Sequence, residues 1–352
     1  MYDFLIVGSG LFGAVFAQQC HERSLSCLVV DKNDHIAGNC YTVRMHDIDV
    51  HMYGPHIFAT NNRAVWGYAQ RFSAFRPYTH RVKANYRGRI YSLPINLMTL
   101  QQVYGVTTPA EAERKLAEVR VSIAAPRNME EWCLSQIGPD LYEMFFRHYT
   151  EKQWGCSPQE LGAEIGKRLP IRLTYDDRYH DCYWSGIPEG GYTDWIGNML
   201  SGVRVELQTD FRHMDWRKYA RRLVYSGRLD ELFGCCHGPL GYRSLRFEHE
   251  VHAGDWQGVA QMNYTDSSVP WTRITEHKHF NVQRRAMTVI SKEYPSAGGD
   301  PYYPKGSDLV AKYRSMIQDD MIVGGRLGSH RYMNMDAVVA QALKLFRRAV
   351  TG

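Results

Sequence analysis

The chain has no apolar run near the roughly 18 residues that a membrane-spanning helix requires. It also has no basic leader, since Met1-Tyr2-Asp3 passes directly into the strand-like Phe4-Leu5-Ile6-Val7. A cytoplasmic protein without membrane contacts is therefore expected. None of its 8 cysteines forms a Cys-x-x-Cys pair, so free thiols in a reducing compartment are expected. Metal-ligand spacings and a Gly-x-Ser-x-Gly elbow are missing, which removes support for metal catalysis and for a classical serine nucleophile; no metal is expected. Repeats and low-complexity tracts are absent too. Charge of one sign is scarce: 42 Lys+Arg against 37 Asp+Glu leave a net charge of +5. That balance suits an anionic ligand and falls short of the basic clustering of a nucleic-acid binder.

What is present is material for a large core: 352 residues, 44% hydrophobic and 12% aromatic, enough for two or three substructures. Leu5-Ile6-Val7 reads as a buried strand, residues 14–20 as a helix, and residues 26–30 as a second strand ending at Asp31. This is the opening βαβ unit of a doubly wound sheet. Residues 97–164 read as helical, punctuated at Thr107-Thr108-Pro109, Pro126-Arg127-Asn128 and Gly138-Pro139. After Pro170 short β-rich runs follow at 204–207, 222–225, 245–248, 258–264 and 286–290, and they argue for a mostly antiparallel sheet. Met321-Ile322-Val323, a glycine pair and a helix over 335–348 look like a return to the first unit.

Gly8-Ser9-Gly10-Leu11-Phe12-Gly13 lies between the first strand and its helix, the context that gives a Gly-x-Gly-x-x-Gly match its meaning. Gly8 permits a tight turn, Gly10 lets backbone approach a pyrophosphate at the helix N-terminus, and Gly13 allows close helix–strand packing. Asp31 can accept from a ribose hydroxyl. The fingerprint alone does not separate FAD from NAD. Further glycine contacts at residues 33–39, 186–192 and 324–327, which include Gly38 and Asn39, fit a long buried FAD better.

A resemblance to the UDP-galactopyranose mutase family covers essentially the whole chain. It is carried by Tyr53-Gly54-Pro55-His56-Ile57-Phe58, Tyr149-Thr150-Glu151-Lys152-Gln153-Trp154-Gly155, Lys167-Arg168-Leu169-Pro170-Ile171-Arg172, Val269-Pro270-Trp271-Thr272-Arg273, Pro301-Tyr302-Tyr303-Pro304 and Gly324-Gly325-Arg326-Leu327. It implies an α/β fold: a Rossmann-like FAD-binding domain (1–80 with 186–240 and 320–352), an inserted helical bundle (97–164) and a twisted antiparallel sheet (81–96 with 165–185 and 241–319). It implies a homodimer as well. The implied activity is redox-neutral interconversion of the pyranose and furanose forms of a nucleotide diphosphate sugar. In it, N5 of reduced FAD attacks the anomeric carbon while the nucleoside diphosphate departs, and NAD(P)H or a reductase supplies the electrons.

By the same resemblance Arg168 and Arg273 neutralise the diphosphate, with Arg168 carried on a mobile loop, and His56 lies beside the flavin ring. Phe145, Tyr149, Trp154, Tyr179, Asn263, Tyr303 and Tyr332 are implied substrate contacts. Gly8, Gly10, Phe12, Gly13, Asp31, Gly38, Asn39, His56, Arg243, Arg326 and Met333 make up the cofactor set. Each aromatic also has a plain reading as core packing, and each arginine as an ion pair.

Four positions depart from the family pattern: Ala59 replaces a histidine, Asn334 an aspartate, His148 a glycine and Arg228 a proline. Added bulk and cation near the base, with altered flavin-side residues, raise a GDP-linked or N-acetylated sugar as alternative substrates. An oxidoreductase of the amine-oxidase type is the competing class, and a non-catalytic flavin-binding protein a second.

Overall fold

A computed structural model describes residues 1–167, 170–280 and 285–351. A five-stranded parallel sheet has the order Arg204–Glu206, Cys27–Val30, Tyr2–Val7, Ala220–Tyr225 and Met321–Val323. Its strands read as almost continuous apolar runs because both faces are covered. On one face lie the helices Leu11–Glu22, Gly191–Met199 and Met335–Thr351, with Phe16, Trp195 and Phe346 fully buried. Phe16 meets Phe346 edge-on at 5.2 Å, so the first and last helices share one core. On the other face Leu5, Leu223 and Tyr225 pack with Trp216.

The second sheet has seven strands: Pro301–Pro304, Tyr242–Ala253, Met287–Ser296, Arg273–Glu276, Gln261–Tyr264, Val82–Tyr86 and Arg89–Leu93. All its pairs are antiparallel except Gln261–Tyr264 with Val82–Tyr86. One sequence expectation is corrected here. The β-rich pattern by itself argues for antiparallel strands at residues 204–207 and 222–225, whereas both runs pair in parallel beside the first βαβ unit. A short apolar run states that it is buried but not which way its neighbour travels.

From Leu97 to Trp154 the chain is largely helical, as the punctuation predicts. Asn96 caps Leu97–Tyr104 by accepting from two backbone N–H groups, and Thr108 and Glu111 form a reciprocal box at the start of Pro109–Val119. Gly138, at φ +75°, breaks Met129–Tyr142 just before Pro139. A π-helical turn, Glu143–Arg147, then re-aims the helix His148–Trp154 toward the second sheet. Among the described residues no helix is long and apolar enough to cross a membrane.

Candidate functional site

The first strand delivers the chain to Gly8, whose φ of +100° a side chain rarely tolerates. A Cβ on Gly13 would lie 1.9 Å from the Gly8 carbonyl oxygen, so helix and strand can approach only because it is glycine. The helix Leu11–Glu22 has Gly10 at its N-cap and no side chain capping it, which leaves its first N–H groups directed at the cleft. A cavity of about 390 Å³ opens there. It brings together Gly8, Gly10, Phe12, Asp31, Gly38, Asn39, His56, Arg326 and Met333.

Asp31 is more occupied than its position in the sequence foretells. Its Oδ2 accepts from Ser9 N–H and Ser9 Oγ–H, both at 2.7 Å, and its Oδ1 from Asn33 N–H at 3.0 Å. The carboxylate thus shapes the glycine turn, with one lone pair on Oδ1 to spare. Gly13 and Arg243 do not line the cavity. Arg243 instead donates to the carbonyls of Lys152 and Gln153 at 3.1 Å each, capping the C-terminal end of His148–Trp154. Sequence reasoning missed the outer mouth, where Arg212, Glu231, Lys32 and Asp300 stand. Lys32 and Asp300 face each other there at 2.8 Å.

A second cavity, about 250 Å³, shares Asn39, Tyr53, His56, Tyr302 and Arg326 with the first, so the two meet. Arg273, Tyr179, Tyr303 and Tyr332 line it. Tyr303 stacks on Tyr332 at 6.0 Å, Trp154 touches Tyr303 at 6.0 Å, and the Arg326 guanidinium lies 5.0 Å over the Tyr332 ring. Arg273 Nε lies 3.2 Å from Glu293 Oε1, out of hydrogen-bond alignment, and Tyr149 lies against the same guanidinium. Burial works against the Arg273 cation, but Glu293 and the facing tyrosines outweigh it, holding its pKa above the ordinary guanidinium value.

His56 joins the two cavities. Its Nδ1 donates to the Gly54 carbonyl at 2.7 Å, which leaves Nε2 a bare acceptor. Burial, helped by Arg326 and Arg273, pushes its pKa down to about 4, so the ring is neutral at pH 7.

Other predicted contacts stand elsewhere. Phe145 belongs to the helical core, edge-on to Tyr91 at 5.4 Å, and reaches neither cavity. The buried Asn263 accepts from Gln261 Nε2 at 2.8 Å and also lines neither. Arg168 lies outside the described residues. The four departures divide. Ala59 and Asn334 line the second cavity and Arg228 the first, where it donates to Asp230. His148 adds no open cation, because its ring nitrogens are 3.0 and 2.9 Å from Glu143 and Glu151. Sequence reasoning also missed His80 and Glu293, both in the second cavity. Neither sits in a motif: the strand Met287–Ser296 carries Glu293 there, and His80 comes from the segment just before the strand Val82–Tyr86.

This two-cavity geometry can be set beside known proteins. A relative described as a probable UDP-galactopyranose mutase, from Klebsiella pneumoniae, is 43% identical over 97% of this chain and 93% of its own length. The chain belongs to the UDP-galactopyranose mutase family. The family's own profile matches residues 144–332, and one for NAD(P)-binding Rossmann-like domains matches residues 6–72. A dTDP-fucopyranose mutase from Escherichia coli is 37% identical over 98% of this chain and 97% of its own. The chain is thus a nucleotide-sugar mutase, an isomerase, of α/β fold. A crystal structure of reduced UDP-galactopyranose mutase superposes with a TM-score of 0.76 at 15% identity, covering 99% of this chain and 96% of that one. A structure described as a putative protoporphyrinogen oxidase, from Exiguobacterium sp. 255-15, shares the fold at a TM-score of 0.67 and 11% identity, covering 99% and 98%.

Proposed function

We propose that this mutase binds FAD in the first cavity and, with the flavin reduced, interconverts pyranose and furanose forms of a UDP-galactose-like nucleotide sugar in the second. The observation that carries the reading is the junction. His56 and Arg326 wall both cavities, so a ring at the inner end of the first would face a sugar in the second. The residues fit the cofactor: an uncapped helix N-terminus for the pyrophosphate, glycines where a Cβ would collide, and a cleft running on to a half-buried neutral histidine. When bound and reduced, that group supplies a nucleophilic ring nitrogen, N5, for the anomeric carbon.

The chain's own residues do the rest. Arg273, held by Glu293, stabilises the diphosphate as it leaves and keeps it close for return, with Arg168 as its partner. Tyr179, Tyr303 and Tyr332 offer hydroxyls to the phosphates and narrow the space open to water. His56 Nε2 accepts a hydrogen bond at the shared wall without bringing a charge. We assign the homodimer, the cytoplasmic location and reduction by NAD(P)H or a reductase to the same reading.

Ala59 and Asn334 on the sugar cavity, with the dTDP-fucopyranose relative, favour testing sugars beyond UDP-galactose, including GDP-linked and N-acetylated ones. The deciding assay incubates reduced enzyme with UDP-, dTDP- and GDP-sugars and scores furanose products. Product formed with only catalytic reductant supports the mutase. Reductant or oxygen consumed in step with product supports an oxidase instead.

A further inference from the structure

The segment that carries His56 between the two cavities is short, Met52-Tyr53-Gly54-Pro55-His56, and Gly54 within it sits at φ +91°. Such a segment needs an external hold. The His56 backbone N–H donates to His51 Nδ1 at 3.0 Å, and His51 is 1% exposed at the end of the strand Ile48–His51. An accepting Nδ1 fixes the His51 proton on Nε2.

The same logic passes outward. The His51 backbone N–H donates to His277 Nδ1 at 3.3 Å, so the His277 proton is on Nε2, which donates to Ser291 Oγ at 2.6 Å. The Ser291 hydroxyl is then free to donate to His249 Nδ1 at 2.7 Å, and His249 hydrogen-bonds the Met52 backbone. The chain of bonds returns to the segment where it began. Every ring in it must be neutral, because a second proton would remove an acceptor.

The His51 ring stacks on Phe280, with centroids 4.9 Å apart and planes 5° from parallel, and meets Tyr192 edge-on at 5.4 Å. A purely packing role there would suit an apolar ring. Instead the site buries a His51 Nε2–H that has no hydrogen-bond partner among the described residues, a costly arrangement unless Nδ1 earns its place.

We infer that His51 is the positioning residue for His56: its Nδ1, oriented by His277, Ser291 and His249, fixes the backbone that aims His56 Nε2 at the junction of the two cavities. The inference rests on the proposed function only in taking that junction as the place of reaction.

The test compares His51→Phe, which keeps the stack and loses the acceptor, with His51→Asn, which restores an acceptor near the Nδ1 position. In the FAD-loaded protein, H51F should lower kcat roughly 10- to 100-fold with KM within about twofold, and shift the flavin's midpoint potential and absorption maximum. H51N should return kcat to within about threefold of wild type. Wild-type kcat and potential in H51F, or equal damage in both variants, would overturn the inference. If H51F does not fold, the wild type decides: exchange of the His56 amide proton should be slowed about 100-fold or more, and coil-like exchange would refute the hold. Wild type that binds no flavin would sink the proposed function while leaving the exchange result to judge the hold.

Discussion

The dinucleotide cleft and the second cavity meet along a wall that includes His56 and Arg326 and are built by opposite means. The cleft is made of backbone: a turn, an uncapped helix start and glycines whose missing Cβ atoms let the chain come close. The second cavity is made of side chains brought by separate segments, with Arg273 on one strand, Tyr303 on another and Tyr332 after the last glycine pair. A backbone site tolerates change wherever conformation survives. A side-chain site fails at single atoms.

The sharpest way to break this contrast is Arg273→Ala, which removes the half-buried cation and leaves the cleft intact. Turnover should fall by about 10²- to 10³-fold or more while the purified protein keeps its full flavin content. A colourless variant would show that the two sites are one unit after all.

Acid should also separate the regions. Burial pushes His80, with neighbouring His180, and likewise His277 down to about 3, so both are neutral when folded. In the unfolded chain they titrate near 6.5. The unfolded state therefore binds more protons below that value, and stability present above about pH 6.5 is lost as pH falls toward 3, by about 1.4 kcal/mol per pH unit for each ring. Between pH 7.5 and 5 the two should remove about 4 kcal/mol, read as a drop in the denaturation midpoint. A flat profile would contradict their burial as neutral rings.

Gly13→Ala probes the backbone side. Its Cβ would meet the Gly8 carbonyl oxygen at 1.9 Å, so helix and strand must part. A loss of about 3 kcal/mol is expected, with weakened flavin retention, and an unchanged melting temperature would count against the close approach. The smallest effect belongs to the mouth of the cleft. Lys32 and Asp300 pair across it with side chains 56% and 65% exposed. Lys32→Ala should speed flavin release only a few-fold, and less at high salt, because exposed pairs contribute about 1 kcal/mol or less.

Much of this was readable locally. The βαβ opening, the helix start at Thr108, the break at Gly138 and the closing helix all follow from residues adjacent in sequence. Long-range partners were not. Arg243 resembles a cofactor ligand until the helix end it caps is seen, and Phe145 a base contact until Tyr91 is found against it. His80 and Glu293 carry no motif, and their importance comes from the cavity they face.

By itself, then, the sequence determined where the chain turns, which runs are buried and that a glycine-lined helix start awaits an anion, because those properties depend on steric and hydrogen-bonding demands within a few residues. Tertiary structure alone decided which strands beyond the βαβ opening run parallel, which arginine stands free of a helix end and which histidines are dry enough to stay neutral. Those depend on desolvation and on partners distant in sequence, which no local pattern encodes.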